Sequence, residues 1–278
     1  MHDTTSENSI LSRKIRMSQI KILFVLLVPF VSFVQPSISV GESLTINFKN
    51  LKSIPPDNLI IIDTRSKFKY LLGHIPKAIH LGKWQDFTQN VKGVRGLLIK
   101  NPIFIVNKFN SYGIHPKKHI VLYGDPDDPW RTDGRFFWMF ERFGFNKVTI
   151  YEGGLKNWKN SGEKLEFGQG SALAKPLLTV KDIRLNDEVS AEQQWILERL
   201  NSKTLAIIDN RTRDEYLGAM PYGSPRGGHI PNAVHIYWPD FFLPSGHMKS
   251  KTELLNILTK FNITYEKEVV VYCTGGVR

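Results

Sequence analysis

IIDTRSKFKYLLGHIPKAIHL, residues 61–81, is answered further along the chain by IIDNRTRDEYLGAMPYGSPRGGHIPNAVHI, residues 207–236. Each stretch opens with a β-branched run ending in Asp, skips one residue and places an Arg: Asp63 with Arg65, and Asp209 with Arg211. A polar helical turn follows, holding Tyr70 or Tyr216. Then comes Gly-His-Ile-Pro-x-Ala-(Ile/Val)-His, which contains His74 or His229. The second copy inserts a Gly- and Pro-rich stretch, including Arg226, before its Gly-His. A further match sets HIVLYGDPDD, 119–128, against EVVVYCTGGV, 268–277, and so puts Gly124 where the second copy has Cys273. The chain is a duplication, and its single cysteine lies in the second copy.

Around these stretches the chain alternates between strand and helix patterns. Ile60–Ile62, Ile120–Tyr123 and Lys147–Tyr151 are short apolar runs suited to buried parallel strands. RTDGRFFWMFERFGF, 131–145, has helical periodicity that turns Phe137, Met139 or Phe140, and Phe143 inward, and Gly144 is a stop signal. Alternation of this kind predicts an α/β fold with parallel sheets flanked by helices. The Gly, Ser and Pro of Phe167–Val180 mark a linker. The expected organisation is a first domain over 40–166, a linker over 167–180 and a second domain over 181–278. The first copy continues after Gly124 through a loop, a helix, a strand and Gly153-Gly154…Trp158. The second stops at Arg278, so a second domain incomplete at its C-terminus is expected.

The 278 residues are 41% hydrophobic, enough for two packed cores, and carry a net charge of +11. An excess of this sign attracts small anions or an acidic partner. Basic and aromatic residues are not interleaved, which argues against nucleic acid. Arg13, Lys14, Arg16 and Lys21 precede an apolar run, Ile22–Val34, too short to span a bilayer but suited to an export signal, with small residues at Ser37 and Ser39. Residues 1–39 are therefore read as a signal peptide, with Met17 as an alternative start. The mature protein is expected in the periplasm, free of stable membrane association. A retained anchor is the other reading.

A lone cysteine in an exported protein forms no internal disulfide and is either buried and inert or reactive. Cys273 ends an apolar run and opens Cys-Thr-Gly-Gly-Val-Arg. Backbone N–H groups of Thr274, Gly275, Gly276 and Val277 could ring a thiolate, glycine allows the positive φ that such a cradle needs, and Arg278 would add fixed charge. No acid sits in this loop to protonate a leaving alcohol.

Asp-x-Arg, Gly-His-Ile-Pro-x-Ala and a strand-Cys-glycine loop, present in tandem over about residues 44–278, resemble the tandem rhodanese family of sulfurtransferases. The resemblance implies two rhodanese-like domains, of which the first has no catalytic thiol. It implies a Cys273 nucleophile that takes a sulfane sulfur from a small anionic donor such as thiosulfate, holds it as a persulfide and passes it to a thiophilic acceptor, cyanide or a thiol. No cofactor, no metal and a monomer are expected. Related phosphatase loops are one residue longer, which leaves a Cys-dependent phosphatase or arsenate reductase as a weaker reading. A catalytically inactive binding or sulfur-carrier module is the other alternative. Trp238 matches a family position at the pocket mouth, and Arg226 is a candidate for the rim. Asp209, Arg211 and His229 are read as structural support. Glu215 departs from the family, because some members hold a substrate-binding arginine there. That departure argues against mercaptopyruvate and leaves an inorganic donor.

Overall fold

The computed structural model describes residues 43–91, 94–170 and 178–277, together with a strand at 12–15. Apart from that strand, β1 (Ser12–Ile15), the expected export segment lies outside the described residues. The first repeat runs β2 (Thr45–Ile46), α1 (Phe48–Ser53), β3 (Leu59–Asp63), α2 (Lys67–Leu71) and β4 (Ile79–His80). It continues with a hairpin of β5 (Thr88–Val91) and β6 (Val94–Leu98), then α3 (Pro102–Ser111), β7 (His119–Tyr123), α4 (Thr132–Arg142), β8 (Val148–Tyr151) and α5 (Gly154–Asn160). The second repeat runs α6 (Gln193–Arg199), β9 (Leu205–Asp209), α7 (Arg213–Leu217), β10 (Val234–His235), α8 (Lys251–Thr259) and β11 (Glu268–Tyr272).

Both sheets form as the sequence predicts. In the first, β2-β8-β7-β3-β4 are parallel throughout. In the second, β11-β9-β10 are parallel and β1 adds antiparallel to the outer edge of β11. Runs such as LIIID and HIVLY can be apolar at nearly every position because helices cover both faces of a parallel sheet. One face of the first sheet packs Ile60, Ile62, Ile120 and Leu122 against α3 and α4; the other packs Val121 and Tyr123 against Leu51 of α1 and Leu155 and Trp158 of α5. The repeats agree in register. Asp63 lies opposite Tyr123 and His80, and Asp209 lies opposite Tyr272 and His235.

Two expectations are corrected. Helix α4 does not bury a single stripe: Phe136, Phe137, Trp138, Met139 and Phe140 are all buried. A helix buried on this many positions needs cover on more than one side. The first sheet supplies one side, and the segment after the linker supplies another. There Trp138 Nε1 donates to Val189 O at 2.8 Å, and Arg142 pairs with Asp187. Leu178, Ile183 and Val189 join the core of the first repeat. The packing therefore changes hands near residue 190, not at the expected boundary of 180/181. At the other end of the linker, Glu166 bridges back to His74 and Gly168 N donates to Leu71 O at 2.9 Å.

The start of α5 shows how tightly the first repeat is set. Gly154 adopts φ +54°, and a Cβ there would fall within contact distance of Gly124 O, which also accepts from Leu155 N at 3.2 Å. Gly154→Ala should therefore destabilise the protein by about 1–3 kcal/mol. A chemical denaturation midpoint measured beside wild type checks this, and an unchanged midpoint would contradict the packing described.

Candidate active site

Cys273 is the first residue past β11, at the carboxyl end of a strand paired on both edges. Ligands of open α/β sheets gather at such ends. What fixes the strand ends is a repeated lock. Arg211 forks onto Asp209, with Nε to Oδ1 at 2.9 Å and Nη2 to Oδ2 at 2.6 Å, and Nη2 reaches Gly228 O at 2.7 Å. Tyr272 OH donates to Asp209 Oδ2 at 2.8 Å and accepts from Ile230 N at 3.0 Å. In the first repeat Arg65, Asp63, Gly73, Tyr123 and Ile75 make the same bonds. Burial works against the Arg211 charge, but Asp209 outweighs it and holds the guanidinium above its ordinary value. Burial, with the neighbouring carboxylate, also pushes the Tyr272 phenol well up, so it remains a donor.

The loop on this base is short. Cys273 is a free thiol and only 4% exposed. The N–H groups of Thr274 to Val277 have no acceptor among the described residues. Of the two loop glycines, Gly276 takes a positive φ, 64°, while Gly275 does not. Thr274 turns away from the cavity and donates from Oγ1 to Glu215 Oε1 at 2.7 Å. Glu215 is fully buried, and its Oε2 accepts from Thr212 N and Oγ1 at the start of α7. Where the family resemblance suggested a substrate arginine, the side chain braces the loop from behind.

In front of the sulfur a cavity of about 220 Å³ opens between the repeats. Cys273, Gly276 and Val277 line it from the loop, and Trp238 and Phe242 from the second repeat. Arg131, Asp133 and Arg135 enter from the first. Arg131 forks onto Asp133 and lies 4.3 Å from the centre of the Phe242 ring. Its Nη1 is buried without a partner among the described residues, as is Trp238 Nε1, whose ring centre lies 5.9 Å from that of Phe242 in an edge-on contact. Arg135 is 1% exposed; Nη1 donates to Gly276 O at 3.0 Å and Nη2 to Gly96 O at 2.8 Å. Its guanidinium lies 5.0 and 4.5 Å from the rings of Trp84 and Trp138. In the first repeat Gly124, the counterpart of Cys273, has Thr64 and Asp133 against it, so the thiol's place is filled.

Of the residues singled out in the sequence, Cys273, Gly276, Val277 and Trp238 meet at the cavity, and Asp209, Arg211 and Thr274 support it from behind. Gly275 lies in the loop but does not line the cavity. His229 is exposed, stacks 3.7 Å from Tyr216 and bonds Tyr216 O through Nδ1, as His74 does with Tyr70. Arg226 is corrected: it is exposed and does not line the cavity. Arg278 lies outside the described residues. No group of three His, Cys, Asp or Glu side chains suited to a metal occurs among the described residues. The sequence reading passed over Arg131 and Arg135. Their signal was present in two arginines four residues apart, one capping and one inside the start of an aromatic-rich helix.

Comparison with known proteins agrees with this architecture. Residues 48–161 and 192–278 match the rhodanese-like domain family. The chain is 30% identical over 215 residues to a thiosulfate sulfurtransferase of Azotobacter vinelandii, covering 77% of this chain and 76% of that one. It is 27% identical to a 3-mercaptopyruvate sulfurtransferase of Mus musculus, over 77% of this chain and 70% of that one. The crystal structure of SseA from Escherichia coli, described as a 3-mercaptopyruvate sulfotransferase, superposes with a TM-score of 0.69 at 24% identity, covering 84% of this chain and 91% of that one.

The Tyr272 hydroxyl carries two bonds on which the loop's origin depends. Tyr272→Phe leaves the Ile230 N–H without its acceptor and Asp209 without one donor, and should cost about 1–3 kcal/mol. Thermal melts of the variant and wild type measure this; equal melting temperatures would show that the lock does not hold the strand end.

Proposed function

The chain belongs to the rhodanese family, and on that premise we propose that it is a sulfurtransferase working through a Cys273 persulfide. The observation that carries this reading is a buried free thiol at the end of β11, which faces a cavity and is followed by N–H groups that, like two donors in the cavity wall, have no acceptor among the described residues. A thiolate is the nucleophile such a site favours. With thiosulfate as donor, Cys273 Sγ attacks the outer sulfur. The Sγ–S bond forms, the donor's S–S bond breaks, and sulfite leaves with the electron pair. The persulfide then yields its outer sulfur to cyanide or to an acceptor thiolate, which regenerates the Cys273 thiolate. No proton has to be supplied, which fits a loop without an acid. Arg131 Nη1 and Trp238 Nε1, both buried and unpartnered among the described residues, are suited to the oxygens of the departing anion. The relatives named for thiosulfate support that donor.

Two further parts of the reading rest on the sequence and on the site. The basic and then apolar pattern of residues 13–34 supports export to the periplasm. The cavity is walled by both repeats of one chain, which supports action as a monomer.

Incubation with thiosulfate should add the mass of one sulfur atom to wild type, and cyanide should remove it as thiocyanate. Cys273→Ser should gain nothing while keeping the wild-type circular dichroism spectrum. A wild-type protein whose mass does not change with thiosulfate or any other sulfane donor would favour the inactive module over the enzyme.

A further inference from the structure

Of the buried arginines around the site, one has no carboxylate partner among the described residues. Asp209 is matched by Arg211, and Asp133 by Arg131. Glu215 is committed to Thr212 and Thr274. Arg135 is 1% exposed, yet among the described residues it meets no carboxylate: its two hydrogen bonds end on the carbonyls of Gly96 and Gly276, and its faces lie near two indoles. Carbonyl dipoles and aromatic faces soften the cost of burying a cation but do not neutralise it. Buried charges normally persist because an opposite charge is near.

We propose that Arg135, carried on α4 of the first repeat, is the counter-ion of the Cys273 thiolate, and later of its persulfide, in the second. The guanidinium grips the carbonyl of Gly276, three residues past the sulfur, and both residues line one cavity. The grip also orients the loop. In a trans peptide the N–H points opposite to the C=O, so drawing Gly276 O onto Arg135 turns the Val277 N–H the other way. Burial pushes Arg135 down to about 10, with the nearby Cys273 sulfur opposing the shift, and so leaves it charged at neutral pH. Arg135 is thus a positioning residue that supplies the charge which position 215 does not. The inference rests on Cys273 being the reacting sulfur, whatever the donor.

Alkylation tests this without a sulfur donor. Iodoacetamide and iodoacetate differ in charge but little in shape. Wild type should react with iodoacetate, relative to iodoacetamide, faster than mercaptoethanol does under the same conditions. Arg135→Met should lose that preference at least about fivefold and raise the pH midpoint of iodoacetamide alkylation by about one unit. Arg135→Lys, which keeps the charge, should retain most of the preference. A merely structural arginine would change neither the reagent ratio nor the midpoint. An unchanged ratio and midpoint in a folded Arg135→Met would overturn the proposal. If that variant does not fold, a wild-type ratio no higher than that of mercaptoethanol overturns it instead. Loss of sulfur transfer with the anion preference intact would defeat the enzymatic reading alone and leave the counter-ion standing.

Discussion

Everything at the site depends on an aspartate that cannot move. Asp209 ends β9 and receives the Arg211 fork and the Tyr272 hydroxyl at once, so two adjacent strand ends and the chain at Gly228 are tied to one carboxylate. Cys273 is the residue after Tyr272, and its position is inherited from that tyrosine. The lock is fully buried, so its charges are compensated locally and its worth lies in geometry more than in net attraction.

The same lock stands in the first repeat with Asp63, Arg65 and Tyr123, but with nothing reactive beyond it. There Asp133 and Thr64 crowd the position of the missing thiol. Helix α4, which begins at that filled site, turns its arginines outward to the neighbouring repeat. The first repeat shares the frame and contributes side chains across the boundary. It gives up a sulfur of its own and furnishes charge and walls for the other.

What could be read in the sequence follows from the range of the interactions. The strands, the two-fold repetition, the Cys loop and the Asp-x-Arg pairs are encoded within a few residues, and each was legible. Glu215 was noticed as a departure, but its bond to Thr274, 59 residues away, was not. Arg135 meets Gly276 across 141 residues, and no local pattern announces such a contact. Its neighbours Phe136 to Phe140 suggested a helix with one buried stripe, when the helix is enclosed. The linker boundary failed for the same reason. Leu178, Ile183 and Val189 follow the Gly- and Pro-rich stretch in sequence but belong to the first core in space.

The segment from 178 to 189 that folds onto α4 has a consequence for how this chain can change over generations. A duplicated gene ordinarily leaves two copies free to drift, to be lost or to be exchanged for a relative's. Here the segment ahead of the second copy is packed into the first copy's interior, and an arginine near the start of the first copy's helix α4 reaches the second copy's loop. Neither half can be traded without carrying a portion of the other. Selection therefore acts on a single unit whose seam runs through the side chains of α4, so the repeat that lacks a thiol is held in place by the one that has it.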